Sequence, residues 1–574
     1  MKDPVKRQTE NDLTPHPPSP EGKGAQATFS PLPPGGQGSR PHGSDRWGGG
    51  TGEGSYGFPS HPLLSSLLSG LLLGLAFPPL PGFLAWVGLV PLLCLIDGGC
   101  ARKAFRRGYL SGVAFNVVAL YWIAYLTPLG ALAAVLYLPA YVGLFAVAMT
   151  RLVRRFGAPA LWGAPAVWTA IEYLRSLGEL GFPWTALGHT QTRYLPLIQH
   201  AEWTGVYGVS FWVVAVNVVL LRVTQRWPEK RLCFILAAAL AGLFALPAAY
   251  GLWRIPAGPL KGTLSVGVVQ PNLSPMDRWQ PDGVERTYET LFRMTREAAA
   301  RGARLIVWPE TAVPTTIRTQ RERRRLVQGL ADSLNVSILT GAPDYVEATG
   351  MYYNAAFLFR PGREDLPRYD KMHLVPFGEA MPYGDVFPVL RKVSFTASGF
   401  TSGDFGRGRE RTLFEGPEGR FAALICFESV FPHLVRGMVK RRPDFLVNIT
   451  NDAWFGATSS PYQHAEIGVL RAVENRVAIA RCATTGVSTF IDPFGRQSQT
   501  TGIFRPAVLV DALPRREGET FYTRYGDLFA QGCVAFTLVG MIGCFPTFLA
   551  RARKVGQKKH APSNAGGGLG APQP

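Results

Sequence analysis

Between Pro62 and Ile255 the chain runs through seven apolar stretches, roughly Leu63 to Leu80, Phe83 to Ile96, Tyr109 to Leu126, Ala131 to Arg151, Ala158 to Leu174, Val206 to Val223 and Cys233 to Leu252. An eighth, Leu528 to Ala550, follows a long mixed region. Most approach the roughly 20 residues a helix needs to cross the hydrocarbon core of a bilayer, where backbone polar groups must be paired within the segment itself. The pattern therefore predicts a membrane domain of about seven helices at 58–256 and one further transmembrane helix at 526–550. The first two stretches are short and separated only by Pro78, Pro79, Pro81 and Gly82, so a pair of tilted or re-entrant helices fits them as well as two spans.

Charge placement gives the orientation. The chain has 59 Lys and Arg against 40 Asp and Glu, a formal net charge of +19. Such an excess would point to nucleic acid if it were clustered on one folded face. Instead Arg102, Lys103, Arg106 and Arg107 lie between stretches two and three, Arg151, Arg154 and Arg155 between four and five, and Arg222, Arg226, Lys230 and Arg231 between six and seven. The intervening connections around Pro78 and Pro128 carry no Lys or Arg, and the one after stretch five has only Arg175 and Arg193. Cytoplasmic loops of membrane proteins are the basic ones. Both termini are thus expected inside and the region from Gly262 to Arg515 outside, a count that eight spans satisfy and seven do not. Nucleic acid is not an expected partner; the membrane is.

Apart from Glu172, near the end of its stretch, the spans hold almost no ionisable residue, which argues against a transporter. Glu172 and Arg175, three residues apart, are expected to pair and snorkel. The long connection from Gly178 to Gly205, with Pro183, Trp184 and other aromatics, reads as an interfacial segment. Residues 1–57, rich in Pro, Gly and Ser, read as a disordered cytoplasmic tail, and 551–574 as a second, basic one. Seven cysteines without regular spacing give neither a disulfide framework nor a metal signature. Cys94, Cys533 and Cys544 fall in apolar runs and are expected to be small buried hydrophobes. Cys426 and Cys482 belong to the soluble region.

That region, 260–515, alternates strand-like and helix-like segments. Strands are expected at Thr263 to Val269, Leu305 to Trp308, Val336 to Thr340, Ala355 to Phe359, Phe421 to Ile425, Phe445 to Asn448 and Ser488 to Ile491. Helices are expected at Val284 to Arg301, Arg321 to Asn335, Val430 to Lys440 and Gln463 to Asn475. Interleaving of this kind over about 250 residues implies a layered α/β domain.

Three short segments fall at or just beyond strand ends: Trp308-Pro309-Glu310-Thr311, then Tyr369-Asp370-Lys371-Met372-His373-Leu374-Val375-Pro376-Phe377-Gly378-Glu379, then Ile425-Cys426-Phe427-Glu428. Singly, each has an ordinary structural reading. Together they hold a thiol, a cation and a carboxylate, the parts required to activate a cysteine whose free pKa leaves only a few per cent thiolate at neutral pH.

In their order these residues resemble the catalytic Glu, Lys and Cys of the nitrilase, or carbon-nitrogen hydrolase, superfamily. The flanking apolar stretches and the string Lys371 to Glu379 look specifically like the apolipoprotein N-acyltransferase family. So do Asn451-Asp452-Ala453-Trp454-Phe455-Gly456 and Arg471-Ala472-Val473-Glu474-Asn475-Arg476. The resemblance implies an αββα sandwich outside the membrane, with Glu310, Lys371 and Cys426 catalytic and Glu379 and Glu428 as supporting carboxylates. It places Trp279 and Trp454 on loops over the acyl site and Tyr353 and Asn354 at the pocket border, and it makes Arg471, Glu474 and Asn475 structural. It further implies a phospholipid acyl donor, a diacylated apolipoprotein acceptor, a thioester intermediate and a bacterial inner-membrane location, with no metal or organic cofactor; a monomer is expected. Phe427 stands where many members have Tyr, so aromatic bulk is kept and a hydroxyl lost. Because the triad serves water as readily as an amine, a membrane-tethered amidase or nitrilase is the alternative reading.

Overall fold

The computed structural model describes residues 61–225, 229–274, 280, 282–384, 386 and 405–544; Trp279 and both terminal tails lie outside these. The apolar stretches are helical, and their boundaries follow proline, glycine and side-chain intrusions. The first is Pro62–Leu75, opened by Pro62, whose missing N–H is no loss in the first turn. The second is broken into Gly82–Leu84, Ala85–Gly88 and Val90–Leu93. At its break the Leu89 N–H turns to Asn217 Oδ1 at 2.8 Å, a side chain from the helix Ala201–Gln225. The third starts eight residues before the expected Tyr109, as Ala101–Leu120. Its packing against Pro62–Leu75 depends on Gly70, where an added Cβ would strike Ser111 O.

Among the described residues, three helices are long and apolar enough to cross a membrane: Pro128–Phe156, Ala201–Gln225 and Lys230–Arg254. Pro62–Leu75, Gly82–Leu93 and Leu528–Ile542 are shorter apolar helices. Glu172 and Arg175 do not snorkel. Both are buried, and the Glu172 carboxylate accepts from Trp168 Nε1 at 2.7 Å and Leu187 N at 2.9 Å, because the Gly178 to Gly205 segment folds inward over them. Cys94, expected to be buried, is exposed, since the broken second stretch turns it outward; Cys533 is buried.

The remainder is a two-sheet sandwich. The strands in chain order are β1 Leu264–Gln270, β2 Leu305–Val307, β3 Ser337–Val346, β4 Met351–Phe359, β5 Arg368–Asp370, β6 Phe414–Gly416, β7 Gly419–Ile425, β8 Phe445–Thr450, β9 Ala478–Ala483, β10 Thr489–Ile491, β11 Gln497–Ser498 and β12 Ala507–Leu513. One sheet has the order β12-β1-β2-β3-β4-β5 and the other β11-β10-β9-β8-β7-β6. The centre of each is parallel, β1 to β3 and β7 to β9, with antiparallel strands at the edges. The sheets face each other, β1 against β9 and β4 against β7. Gly283–Ala300 and Arg321–Leu334 cover the outer face of the first sheet through Leu291, Met294, Val327 and Leu330.

Every expected strand and helix is present, with ends shifted by a few residues. β5, β6, β9, β11 and β12 are additional. β9 is fully buried, yet it carries Arg481, whose charge masks an otherwise apolar run; Asp452 compensates it inside the fold at 2.9 Å. Cys482 on the same strand donates to Val269 O and Val307 O, both at 3.3 Å, across the sandwich.

The second sheet's helix Ser460–Asn475 packs on Ala201–Gln225, and one apolar core runs from the helices into this sheet without a break. Polar ties reinforce the seam. Arg476 donates to Glu202 Oε2 at 2.7 Å and to Gln199 Oε1 at 2.6 Å, and Arg254 holds the other oxygen of Glu202 at 3.0 Å. Glu474, paired with Arg471 at 2.9 Å, accepts the Val206 N–H at 2.7 Å. That N–H is free because Gly205, at φ 66°, interrupts the helix there. Arg471 and Glu474 are thus buried parts of the seam, and Asn475, buried beside them, donates to Arg471 O at 3.0 Å and accepts from Thr523 Oγ1 at 2.9 Å.

Removing one partner of a buried ion pair leaves the other charge uncompensated. Glu202→Ala is expected to destabilise the protein by about 3 kcal/mol through the stranded Arg476, read as a lowered unfolding midpoint in detergent. A change within error would show that the seam does not depend on this pair.

Candidate active site

Glu310, Lys371 and Cys426 lie just beyond the carboxyl ends of β2, β5 and β7, the edge where α/β sheets build their sites. The tertiary fold brings together residues up to 116 positions apart because β2 and β7 belong to facing sheets. Lys371 is fully buried. Its ammonium donates to Glu310 Oε1 at 3.2 Å and to Glu379 Oε1 at 2.9 Å. Burial by itself would pull the Lys371 pKa down, but Glu310 and then Glu379 outweigh it and hold the ammonium above its usual range.

Asn354, on β4, is more than a border residue. Its Nδ2 donates to Glu310 Oε1 and to Glu379 Oε1, both at 2.8 Å, so one amide and one ammonium fix two carboxylates. The remaining oxygens are taken by backbone: Glu310 Oε2 by Asn451 N at 2.9 Å and Glu379 Oε2 by Val375 N at 2.9 Å. Gly341, on β3, lies so close that a Cβ there would meet the Glu310 backbone at 2.7 Å.

Cys426 has φ 52°, a left-handed conformation that costs a non-glycine residue energy and here occupies a sharp strand-to-turn junction. Glu428 braces this junction. It accepts from Ile425 N at 2.7 Å, Tyr369 OH at 2.8 Å and Met372 N at 2.6 Å, which ties the nucleophile turn to the loop bearing Lys371. Glu428 therefore acts on the backbone around Lys371, whereas Glu379 touches the ammonium itself. Burial pushes the Glu428 carboxyl up to about 7, opposed first by the Ile425 N–H. The Cys426 thiol is pushed up by burial and next by the Glu310 charge, and Lys371 pulls it back only in part. Burial and the Glu310 charge thus favour the protonated thiol.

Beside Cys426 opens an apolar cavity of about 340 Å³, lined from the helices by Ile123, Leu126 and Leu138 and from the sandwich by Phe427 and Phe455. Phe427 packs against Phe431 at 5.0 Å and Trp184 at 6.3 Å, in surroundings that offer its ring contacts of bulk. Trp454, on the same short turn as Phe455, is half-buried. Tyr353 lines a separate cavity of about 940 Å³, of mixed polar and apolar lining, with Asp370, Met372 and Arg407, and the Arg368 guanidinium lies 5.5 Å over its ring. Residues that sequence reasoning passed over, Asp452, His464 and Arg481, form a buried chain behind Cys426; the Asn451-Asp452 pair just after an apolar strand was the available signal.

A thiol, an ammonium and a carboxylate gathered at the strand ends of facing parallel sheets define an enzyme of the carbon-nitrogen hydrolase class, and the carbon-nitrogen hydrolase family model matches residues 265–519. The family model of the apolipoprotein N-acyltransferase N-terminal domain matches residues 69–219. An apolipoprotein N-acyltransferase of Geobacter metallireducens is 39% identical over 510 residues, covering 83% of this chain and 94% of its own. One of Chlorobaculum tepidum is 35% identical over 508 residues, 83% of this chain and 95% of its own. Among solved structures, an amidase of the nitrilase superfamily from Nesterenkonia aligns at 19% identity and a TM-score of 0.36, covering 48% of this chain and 99% of the amidase. The chain belongs to the apolipoprotein N-acyltransferases, acyl-transferring enzymes of lipoprotein maturation.

Two outcomes follow for the site. Asn354→Ala strips a donor from both carboxylates and is expected to lower turnover about 10²-fold, measured by steady-state acyl transfer; a loss below about threefold would show that Lys371 alone suffices. Because the thiol is raised, alkylation of Cys426 by iodoacetamide, followed by peptide mass spectrometry, is expected to be slow at pH 7 and still accelerating at about pH 9. A plateau below about pH 8 would mean a preformed thiolate.

Proposed function

We propose that this acyltransferase draws its acyl group from a membrane phospholipid, holds it as a thioester on Cys426, and delivers it to the α-amine of an S-diacylglyceryl cysteine on a lipoprotein. The observation that carries this reading is the apolar cavity at Cys426, built jointly by the helical part and the sandwich. A chain of methylenes suits such a lining; a small polar amide does not. The acceptor class follows the name that the relatives carry.

In the cycle we propose, Glu310 takes the thiol proton as Sγ attacks the ester carbonyl. Lys371, with a backbone N–H, stabilises the oxyanion. Collapse breaks the C–O bond, and Glu310 returns the proton to the departing lysophospholipid alkoxide. The acceptor amine then attacks the thioester, giving up its proton to Glu310. The C–N bond forms, the C–S bond breaks, and the thiolate regains the proton. This is a ping-pong sequence. Glu379 keeps Lys371 charged and in place. Trp454 we assign to a loop at the acyl site, and Asn354 to holding Glu310 and Glu379 beside it; Tyr353 lines the neighbouring cavity.

We place residues 58–256 and 526–550 across the bacterial inner membrane, the sandwich 260–515 on its outer side and the tails 1–57 and 551–574 inside, as a monomer. Lys230–Arg254 supports this, with Phe234, Leu246 and Trp253 exposed in a way that water would penalise and lipid would not. The basic loops also gather at one end: Arg154 donates to Gly98 O at 2.7 Å and Arg155 to Gly543 O at 3.1 Å, and Arg222 bonds Ala158 O. The sandwich is held from other loops, by Gln199 and by Glu179, which pairs with Arg407 at 2.6 Å.

Intact-protein mass spectrometry after incubation with phospholipid tests the reading. Wild type and Cys482→Ser are expected to gain one fatty-acyl increment that Cys426→Ser lacks, and to lose it onto the amine of an added diacylated lipopeptide. An increment discharged only to water would favour the membrane-tethered hydrolase, and its absence from the wild type would refute the thioester.

A further inference from the structure

The nucleophile turn is supported from behind by a chain of buried polar side chains that the proposed cycle does not use. Arg481 Nη2 donates to Asp452 Oδ2 at 2.9 Å, and His464 Nδ1 lies 3.0 Å from Asp452 Oδ1. His464 Nε2 is 3.1 Å from the carbonyl oxygen of Cys426 and 3.1 Å from Ser429 Oγ, which in turn lies 3.1 Å from that carbonyl. Asp452, His464 and Arg481 are all at most 1% exposed.

The proton positions are constrained. Burial raises the Asp452 carboxyl, but Arg481 and then His464 overcome this and keep it ionised; it can only accept. Nδ1 of His464 therefore carries hydrogen, and Nε2 is the atom that meets the turn. Burial and then the Arg481 charge hold the His464 imidazolium below its usual range, so Nε2 accepts the Ser429 hydroxyl while seated 3.1 Å from the Cys426 carbonyl. Through Ser429 the imidazole is a strut between the turn and the Asp452–Arg481 pair.

The same stretch of helix is fastened to the helical part of the protein. Gln463, the preceding residue, donates to Ala119 O at 3.1 Å and accepts from Trp184 Nε1 at 2.8 Å and Trp122 Nε1 at 3.2 Å. The Trp184 ring then packs on His464 with centroids 5.2 Å apart. The Gln463-His464 dipeptide thus touches the helical seam with one side chain and the nucleophile's carbonyl with the next.

We propose that His464 is the positioning residue for Cys426, holding the left-handed turn in the geometry that aims the thiol at the acyl carbonyl, and that Gln463 ties this geometry to the seating of the sandwich on the helices. The proposal rests on Cys426 being the acylated nucleophile. A turn at φ 52° is a minor conformation of a free chain and persists only where its surroundings over-determine it. Loss of the strut lets it relax while the acyl cavity, to whose lining His464 contributes one side chain among many, stays open. The effect therefore falls chiefly on the rate of thioester formation and less on phospholipid binding.

The experiment compares His464→Gln, His464→Asn and His464→Ala in the full-length enzyme in proteoliposomes. A Gln amide reaches the Nε2 position and so the Cys426 carbonyl; an Asn amide reaches only the Nδ1 position and so only Asp452. Two readouts are taken: the rate of acyl-enzyme formation against phospholipid concentration, and the rate of Cys426 alkylation by iodoacetamide, which needs no acyl substrate. His464→Asn and His464→Ala are expected to slow thioester formation about 30-fold with KM for phospholipid within about twofold, and His464→Gln to recover to within about fivefold of wild type. Equal rates for the Gln and Asn variants, or a loss confined to KM, would overturn the proposal, and the Gln–Asn comparison decides the matter even if the Ala variant does not fold. A wild-type protein that gains no acyl group, while His464→Asn but not His464→Gln changes Cys426 alkylation, would overturn the thioester reading and leave the positioning role standing.

Discussion

A buried ammonium is the constraint around which the rest of the site is arranged. Lys371 is 1% exposed, and taking a lysine out of water without compensation would neutralise it. Two carboxylates meet it, and two carboxylates so close would in turn repel each other and drift apart. Asn354 answers that second problem by donating to both. The backbone N–H groups of Asn451 and Val375 then close the outer oxygens. Each group is fixed by another, so the carboxylate is presented to the thiol in one orientation.

The thiol has the opposite need. Burial and the Glu310 charge push it toward its neutral form, and a neutral thiol is a poor nucleophile. In the cycle proposed above, its reactivity is confined to the moment when an acyl carbonyl occupies the site and Glu310 can take the proton in the same event. A permanently ionised cysteine beside a bilayer would be exposed to oxidation and adventitious acylation. The apolar lining of the cavity beside Cys426 suits that restraint, because an apolar wall offers water few partners.

Both requirements depend on how the sandwich is seated. The nucleophile turn lies at the seam, with Trp184 against Phe427 and His464, and the cavity wall is shared by the two halves. The buried ions of the seam, Glu202 with Arg254 and Arg476, and Glu474 with Arg471, add directionality to an apolar contact that would otherwise allow sliding. An amidase of the same class has no need of such a seam. A transferase whose substrates reside in lipid gains from having its nucleophile oriented by the part of the protein that faces the lipid.

Hydrophobic periodicity and the sign of the loops are local properties, so the sequence by itself determined the helical stretches, the layered α/β region and the three loops that carry Glu310, Lys371 and Cys426. Composition blurred the edges of this reading. β9 was hidden by Arg481, and the second apolar stretch read as continuous although Asn217, more than a hundred residues away, captures the Leu89 N–H and breaks it. Only the tertiary structure decided which polar groups meet. Asn354 appeared as a border residue and is the donor shared by two carboxylates. Glu428 was expected as a supporting carboxylate, and the fold shows what it holds: the loop of Lys371 and the turn of Cys426. His464 gave no sign, because a histidine inside an amphipathic helix acquires meaning only from what lies across from it. Burial, pairing and the shape of a cavity are properties of surfaces brought together from distant parts of the chain, and no window of sequence contains them.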